Sequence, residues 1–204
     1  MDAAIVWFRQ DLRLEDNPAL NAALSAHQHI IPLYILDDLT PGLWSMGGAQ
    51  RWWLDQSLKS LDHQLQAIGS KLILRRGDPR VILTDLFKGL GVRHVYWNRL
   101  YEPFARERDG QIKQHLKDAG YGCSSYNGSL LFEPWEIAPQ GGGFFKVFTP
   151  FWKACLKRLV DRPLTHLPPP LSMSIPPHVP TDLLSDLDLY PQRGPIPHWA
   201  AHFG

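Results

Sequence analysis

The sequence predicts an α/β protein: a doubly wound, Rossmann-like parallel sheet of five strands in the order 3-2-1-4-5, followed by an irregular, proline-rich tail. Three observations favour this class. Short apolar runs alternate with helix-patterned segments, which is typical of strands joined by right-handed crossovers. The runs are mostly apolar throughout, as in strands buried on both faces. Polar residues follow several strands directly, at the edge where open α/β sheets bind ligands.

The first strand is predicted within the apolar run 3–8. Four polar residues follow it: Arg9, Gln10, Asp11 and Arg13. Asp16-Asn17-Pro18 then indicates a helix start, because a side-chain oxygen can cap the helix and proline suits its first turn. The stretch therefore reads as strand, charged loop and helix, although an ordinary doubly wound domain with an Asp11–Arg13 pair would show the same pattern.

The remaining elements follow in alternation. Further strands are predicted over 29–36, 71–75, 94–97 and 121–126, and helices over 17–26, 49–68, 79–88 and 104–119. Pro32 cannot donate a hydrogen bond to a neighbouring strand, so we expect a local irregularity there. The helix over 104–119 is dense in charge, and most of its charged residues are expected to face solvent.

The pattern changes after the fifth strand. The sequence predicts an α/β domain over 1–135, a connector and helix over 136–160, and an interdomain linker over 161–204. Ten prolines among the last 42 residues favour an extended linker without a core of its own. With 204 residues, the chain has room for one α/β domain and no second large domain.

Composition narrows the possible classes. Lys and Arg total 21 against 20 acidic residues, so no overall positive charge favours nucleic-acid binding. Cys123 and Cys155 lack metal-ligand or redox spacing and are expected to act as small buried apolar residues. The sequence shows neither a signal peptide nor an apolar run long enough to span a membrane, so a cytoplasmic protein without a membrane partner is expected.

The chemistry is expected in the crevice between strands one and four, the point where the strand order reverses. Gln50 and Arg51, at the start of the long helix, would border this crevice. No glycine-rich phosphate loop follows a strand, which argues against an NAD enzyme or an ATPase. The histidines show no metal-type pair and the serine loops no nucleophile elbow, so no catalytic or metal-binding residue is predicted.

Several motifs carry a family resemblance, and they occur in this order. They are Trp7-Phe8-Arg9-Gln10-Asp11-Leu12-Arg13 with Asp16-Asn17, Gly77-Asp78-Pro79, Trp97-Asn98 with Glu102-Pro103, Arg106-Glu107-Arg108-Asp109, and Lys146-Val147-Phe148-Thr149-Pro150-Phe151-Trp152. Residues 3–160 thereby resemble the amino-terminal part of the DNA photolyase and cryptochrome family. Trp199, in its proline-rich setting, resembles the joint that precedes the helical domain of that family.

The resemblance implies a light-harvesting role. Family members hold an antenna chromophore in the α/β domain, namely methenyltetrahydrofolate, 8-hydroxy-5-deazaflavin or FMN, and pass excitation energy to FAD in a helical domain that also binds damaged DNA. That domain is expected to be missing here, so the parent protein resembles a deoxyribodipyrimidine photo-lyase while this fragment alone is not catalytic. The implied chromophore contacts are Phe8, Arg9, Gln10, Ile35, Leu36, Asp37, Gln50, Arg51, Asn98 and Glu102.

The sequence departs from its relatives at two places, and these differences leave the identity of the chromophore undetermined. Relatives that bind deazaflavin carry an acidic residue where Leu100 stands, and relatives with the common folate site carry polar residues near Phe104 and Ala105. Trp52 and Trp53 could stack on a ligand, but packing on the helix face is the simpler expectation. A stand-alone signalling module whose tail docks a partner is the alternative function, and a nucleotide-binding domain of the universal-stress or ATP-pyrophosphatase sort lacks a phosphate loop.

Overall fold

The computed structural model describes residues 2–139, 141–162 and 164–189. The strands are β1 (Ala3–Phe8), β2 (His29–Leu36), β3 (Ile73–Arg76), β4 (His94–Asn98) and β5 (Gly122–Tyr126). The α-helices are α1 (Pro18–Ala26), α2 (Gly48–Ala67), α3 (Pro79–Leu90), α4 (Pro103–Asp118) and α5 (Phe148–Asp161). Two short 3-10 helices cover Gly42–Trp44 and Leu184–Leu187.

The five strands form one parallel sheet in the order β3-β2-β1-β4-β5, which confirms the predicted class. Every residue of β1 is buried, because the sheet is covered on both faces. One core cluster lies on the face covered by α1 and α2, and the second on the face covered by α3 and α4. The carboxyl ends of β1, β2 and β4 therefore share one edge.

The predicted helix starts are confirmed. The Asn17 side chain accepts a hydrogen bond from the Leu20 amide at 3.1 Å, which caps α1. The Asp78 side chain caps α3 in the same way. Both α1 and α3 begin with a proline, whose missing N–H would have had no partner in the first turn.

The expectation of a local irregularity in the strand at Pro32 is wrong. The register of β1 and β2 runs unbroken through the pair Val6–Pro32. The neighbouring Ile30 amide, which points to the β3 side of the strand, donates to the Ser174 carbonyl at 2.8 Å. Pairing with β3 begins only at Leu33, so the nitrogen of Pro32 faces a place where no ladder bond is required.

The proline-rich tail has little regular structure over 164–189, but it lies against the domain. The Asp182 amide donates to the Leu74 carbonyl at 3.0 Å, so this segment covers the outer edge of β3. Leu187 is fully buried in the core beside α2. Covering an edge strand removes a row of unpaired backbone groups. The division into the ranges 1–135, 136–160 and 161–204 stays a prediction, and Trp199 lies outside the described residues.

Candidate ligand-binding site

A cavity of about 1060 Å³ opens at the carboxyl edge of the sheet, between the strand ends and the first turns of α2 and α4. Its walls are rich in aromatic side chains: Trp7, Tyr34, Trp44, Trp52, Trp53 and Phe104. Its polar lining comprises Arg9, Gln10, Arg13, Asp37, Gln50, Ser57, Glu102 and Arg108. The size and the mixture of apolar walls with a few polar groups are typical of small-molecule sites.

The cavity rests on a buried ion pair. Arg9 directly follows β1, and its Nη1 donates to Oδ2 of Asp109, in α4, at 2.6 Å. Its Nη2 donates to the main-chain oxygen of Asn98. The Arg9 and Asp109 side chains are only 5% and 9% exposed. Burial lowers the pKa of the Arg9 guanidinium, while the Asp109 carboxylate acts in the opposite direction.

Arg108 extends this pair into a chain of alternating charges. Its Nη2 donates to Oδ1 of Asp109 at 3.0 Å, and its Nη1 donates to Oδ2 of Asp37 at 3.1 Å. Arg9, Asp109, Arg108 and Asp37 are called the charge network below. The guanidinium carbons of Arg9 and Arg108 lie 4.9 and 5.1 Å from the centroid of the Trp7 ring. Buried charges of this kind are tolerated only when each has a partner.

Asn98, at the end of β4, joins the first loop to α1. Its Nδ2 donates to Oδ2 of Asp11 at 2.6 Å and to Oδ1 of Asn17 at 2.8 Å, and its Oδ1 accepts from the Ala19 amide at 3.1 Å. The Arg9 amide also donates to Oδ1 of Asp11 at 2.9 Å. This network fixes the loop after β1 against the end of β4.

The side of the cavity beneath α2 is aromatic. Tyr34, Trp44, Trp52 and Trp53 are called the aromatic wall below. Trp52 is 8% exposed, whereas Trp53 is 62% and Trp44 80% exposed. The rings of Trp52 and Trp53 lie 6.2 Å apart at 43°. The expectation that both tryptophans serve to pack the helix is wrong for Trp53, because it follows the buried Trp52 and turns to solvent.

Glu102 and Gln10 face each other at the rim of the cavity. Nε2 of Gln10 donates to Oε1 of Glu102 at 3.0 Å, and the Tyr101 amide donates to Oε2 at 3.2 Å. Burial raises the pKa of the Glu102 carboxyl, but these hydrogen bonds outweigh burial and leave the pKa below its usual value. Across the cavity, Oε1 of Gln50 accepts from the Gly47 amide at 3.2 Å and caps α2.

Six of the ten residues predicted for the site line the cavity: Arg9, Gln10, Ile35, Asp37, Gln50 and Glu102. Phe8 and Leu36 do not, because both are fully buried in the core beneath α1 and α2. Asn98 is engaged in the loop network. Arg51 turns away to Asp38, with its Nη2 2.5 Å from Oδ1 of that residue. Whether the six lining residues bind a ligand stays a prediction.

The sequence also held signals for residues that were not predicted. Ala105, Asp109, Ile112 and Leu116 are all buried and recur at spacings of three or four in α4. Asp109 thus occupies the core stripe of the helix, where solvent exposure was expected for most of the charges. Trp7 also lines the cavity. Its position near the end of β1, next to the polar loop, was enough to predict this.

Among the described residues, 2–139, 141–162 and 164–189, no group of three or more His, Cys, Asp or Glu side chains could hold a metal ion. None of the helices in this part of the chain has the length and apolar character needed to cross a membrane.

Comparison with known proteins gives consistent matches. The family model for DNA photolyase matches residues 4–171. A deoxyribodipyrimidine photo-lyase of Agrobacterium fabrum is 41% identical over 200 residues, covering 98% of this chain and 40% of the relative. Cryptochrome-1 of Arabidopsis thaliana is 40% identical over 167 residues, covering 81% of this chain and 24% of the relative.

Solved structures similar to this chain also come from photolyases. A bacterial class III photolyase from Agrobacterium tumefaciens superimposes with a TM-score of 0.88 at 40% identity, covering all of this chain and 41% of the photolyase. An archaeal photolyase from Sulfolobus tokodaii, solved with two FAD molecules, gives 0.70 at 25% identity, covering 91% of this chain and 40% of the photolyase. The chain thus spans about 40% of the length of these photolyases.

The family match covers most of the chain, and the sheet order and the cavity occur in the part that is matched. The solved relatives are similar over the same fold, with their amino-terminal α/β domain as the matching part. The chain therefore belongs to the DNA photolyase family, whose members here include cryptochromes.

Proposed function

We propose that the chain is the antenna portion of a photolyase or cryptochrome and holds a flat, light-absorbing chromophore in the cavity at the sheet edge. The observation that carries this proposal is a cavity of about 1060 Å³ that the aromatic wall lines together with Arg9, Asp37 and Arg108 of the charge network. Aromatic side chains offer large apolar faces to a conjugated ring. Light-driven DNA repair would then depend on energy transfer from this chromophore.

The pairing within the charge network favours a ligand whose ring is neutral. Each charge of the network has an opposite charge within 3.1 Å, so none of them requires a charged ligand as its partner. Arg13 also lines the cavity and has no carboxylate within ion-pair distance among the described residues. Its Nη2 donates to the carbonyls of Asp16 and Gly128 at 3.0 and 2.6 Å. An anionic tail on the chromophore would suit this side chain.

The candidate chromophores are methenyltetrahydrofolate, 8-hydroxy-5-deazaflavin and FMN. Leu100 and Phe104 both line the cavity and offer only apolar contacts, so the ligand must be held by ring packing at this side. Each chromophore is titrated separately into the purified chain. We expect one of them to bind at micromolar concentration, with a shifted near-ultraviolet or blue absorption band and altered fluorescence. Failure of all three to bind would contradict the antenna role.

A second role, as a docking module, is supported by α5. Its apolar residues Phe148, Phe151, Trp152, Leu156 and Val160 are between 39% and 84% exposed. Exposed apolar patches of this kind mark interaction sites. The partner that the family suggests is the helical FAD-binding domain, which would also make the contact with DNA. The described tail is not the free docking segment that the sequence suggested, since it packs on its own domain.

The docking role is tested with the helical portion of the Agrobacterium photolyase supplied as a separate chain. Sedimentation should show a complex with the wild-type chain and none with Trp152→Asp. The control is Trp135→Asp, which changes an exposed tryptophan outside α5. Equal binding by both variants, or no complex with the wild-type chain, would contradict this role.

A further inference from the structure

The hydroxyl of Tyr34 is a polar group in the cavity wall that the described part of the chain leaves unpaired. Tyr34 belongs to β2, and the whole residue is only 6% exposed. Its ring packs in the core cluster beneath α2 while the residue also lines the cavity. Among the described residues, no side chain or backbone group forms a hydrogen bond with its hydroxyl.

Tyr96 shows what the same residue type does elsewhere in the sheet. It lies in β4, is also 6% exposed, and does not line the cavity. Its hydroxyl lies 3.1 Å from Nε2 of His27 and therefore has a partner. Tyrosine hydroxyls in a protein interior usually find such a partner. The Tyr34 hydroxyl is not among the fully buried polar atoms that lack a partner, so it reaches the open cavity, where a bound ligand can accept its hydrogen bond.

The surroundings of Tyr34 define what that partner can be. Burial, and to a smaller extent the carboxylate of Asp38, raise the pKa of the Tyr34 hydroxyl, so it stays protonated and can donate a hydrogen bond. The nearby carboxylates are already paired, Asp38 with Arg51 and Asp37 with Arg108. A second negative charge would find no free cation in these pairs. A neutral acceptor is therefore favoured over a phosphate or a carboxylate.

We propose that the Tyr34 hydroxyl donates a hydrogen bond to the edge of the bound chromophore, at a carbonyl oxygen or an unprotonated ring nitrogen. This inference rests on the proposed antenna function and assigns one specificity-determining residue within it. The ring enters beside α2 with its acceptor edge toward β2. Ligands that offer only a hydrocarbon edge at this position lose this interaction and bind more weakly.

The test compares Tyr34→Phe with the wild-type chain, using whichever of the three named chromophores binds best. Removing one hydrogen bond should weaken binding by roughly 3- to 10-fold. Tyr96→Phe is the matched control, since it removes a buried hydroxyl outside the cavity, and its dissociation constant should equal that of the wild type. The free energy of unfolding of Tyr34→Phe should not fall, because no residue in the described ranges forms a hydrogen bond with this hydroxyl.

The outcomes separate the two proposals. The assignment is supported if the wild-type chain binds the chromophore, Tyr34→Phe binds it more weakly, and the absorption maximum of the bound chromophore differs between the two proteins. Equal affinity and an equal absorption maximum in the two proteins overturn it and leave the antenna function standing. No binding of any chromophore by the wild-type chain overturns both.

Discussion

The two sides of the cavity are built on opposite principles. The charge network is buried, and each of its charges has a partner within the chain, such as Arg9 with Asp109 at 2.6 Å. The aromatic wall leaves large surfaces uncovered, with Trp53 62% exposed. A satisfied buried network stabilises one conformation of the fold, whereas exposed aromatic surface gains free energy only when something covers it.

This difference separates two kinds of residue at one site. Changes in the charge network and in its supporting loop should act mainly on the stability of the fold. Changes at the exposed tryptophans of the aromatic wall, Trp44 and Trp53, should act mainly on ligand affinity. Variants of Asp109, Asn98, Trp53 and Glu102 test that division.

Asp109→Ala should destabilise the fold most. It leaves the guanidinium of Arg9 buried without its carboxylate and also removes a partner of Arg108. Breaking a buried ion pair from one side costs about 3–5 kcal/mol. The free energy of unfolding in urea measures this loss. The control is Asp118→Ala, an exposed residue of the same helix, expected to change stability by less than about 0.5 kcal/mol. Similar losses in both variants would contradict the role of the network.

Asn98→Ala should cost about 1–3 kcal/mol, because it leaves buried polar groups of the first loop and of α1 without partners. This variant also tests the sequence-based assignment of Asn98 to the chromophore site. We expect the loss in unfolding free energy, while the affinity of the folded chain changes little. Asn21→Ala, at an exposed position of α1, is the control. A large loss of affinity with unchanged stability would favour direct contact with the ligand.

Trp53→Ala should show the reverse behaviour. Most of the indole is exposed, so its removal should change the unfolding free energy by less than about 0.5 kcal/mol. Loss of one aromatic contact should weaken chromophore binding by roughly 3- to 10-fold. Fluorescence titration measures the affinity, with Trp135→Ala as a control at an exposed tryptophan outside the cavity lining. Equal affinity in both variants would mean that Trp53 does not contact the ligand.

Glu102→Gln should have the smallest effect, and one that depends on pH. The pKa of Glu102 in the folded chain lies below its usual value of 4.5. Its contribution to stability is therefore present above that value and is lost as the pH falls through the folded pKa. Because the group is partly exposed, we expect a difference below about 1 kcal/mol at neutral pH.

Urea unfolding of the wild type and Glu102→Gln, at neutral and at acid pH, measures this contribution. The difference between the two proteins should shrink on acidification. Gln10→Ala is the matched variant, because it removes the hydrogen-bond donor and keeps the carboxyl. A difference that grows on acidification would contradict a lowered pKa of Glu102 in the folded chain.

Local patterns explain why most of the fold could be predicted. The short apolar run before Arg9 is typical of a strand buried on both faces, and Asn17-Pro18 and Asp78-Pro79 combine a cap with a first-turn proline. The path of the tail could not be predicted this way. Its attachment depends on single contacts such as that between Ile30 and Ser174, which are 144 positions apart and follow no period.

The site was harder to predict than the fold. The crevice followed from strand order, so residues directly after a strand, such as Asp37, were placed at its edge. Asp109 was not recognised, because its charge suggested solvent although its spacing placed it on the buried stripe of α4. Trp53 was expected to pack on its helix, since composition does not show which of two adjacent tryptophans turns outward.

A crystal structure of the chain soaked with its best-binding chromophore would test the central claim most directly. We expect the ring in the cavity at the sheet edge, within roughly 4 Å of the Trp52 or Trp53 indole, the distance of van der Waals contact. The charge network should keep the pairs Arg9–Asp109 and Arg108–Asp37. A ring bound on another surface of the chain, with this cavity unchanged, would contradict the account.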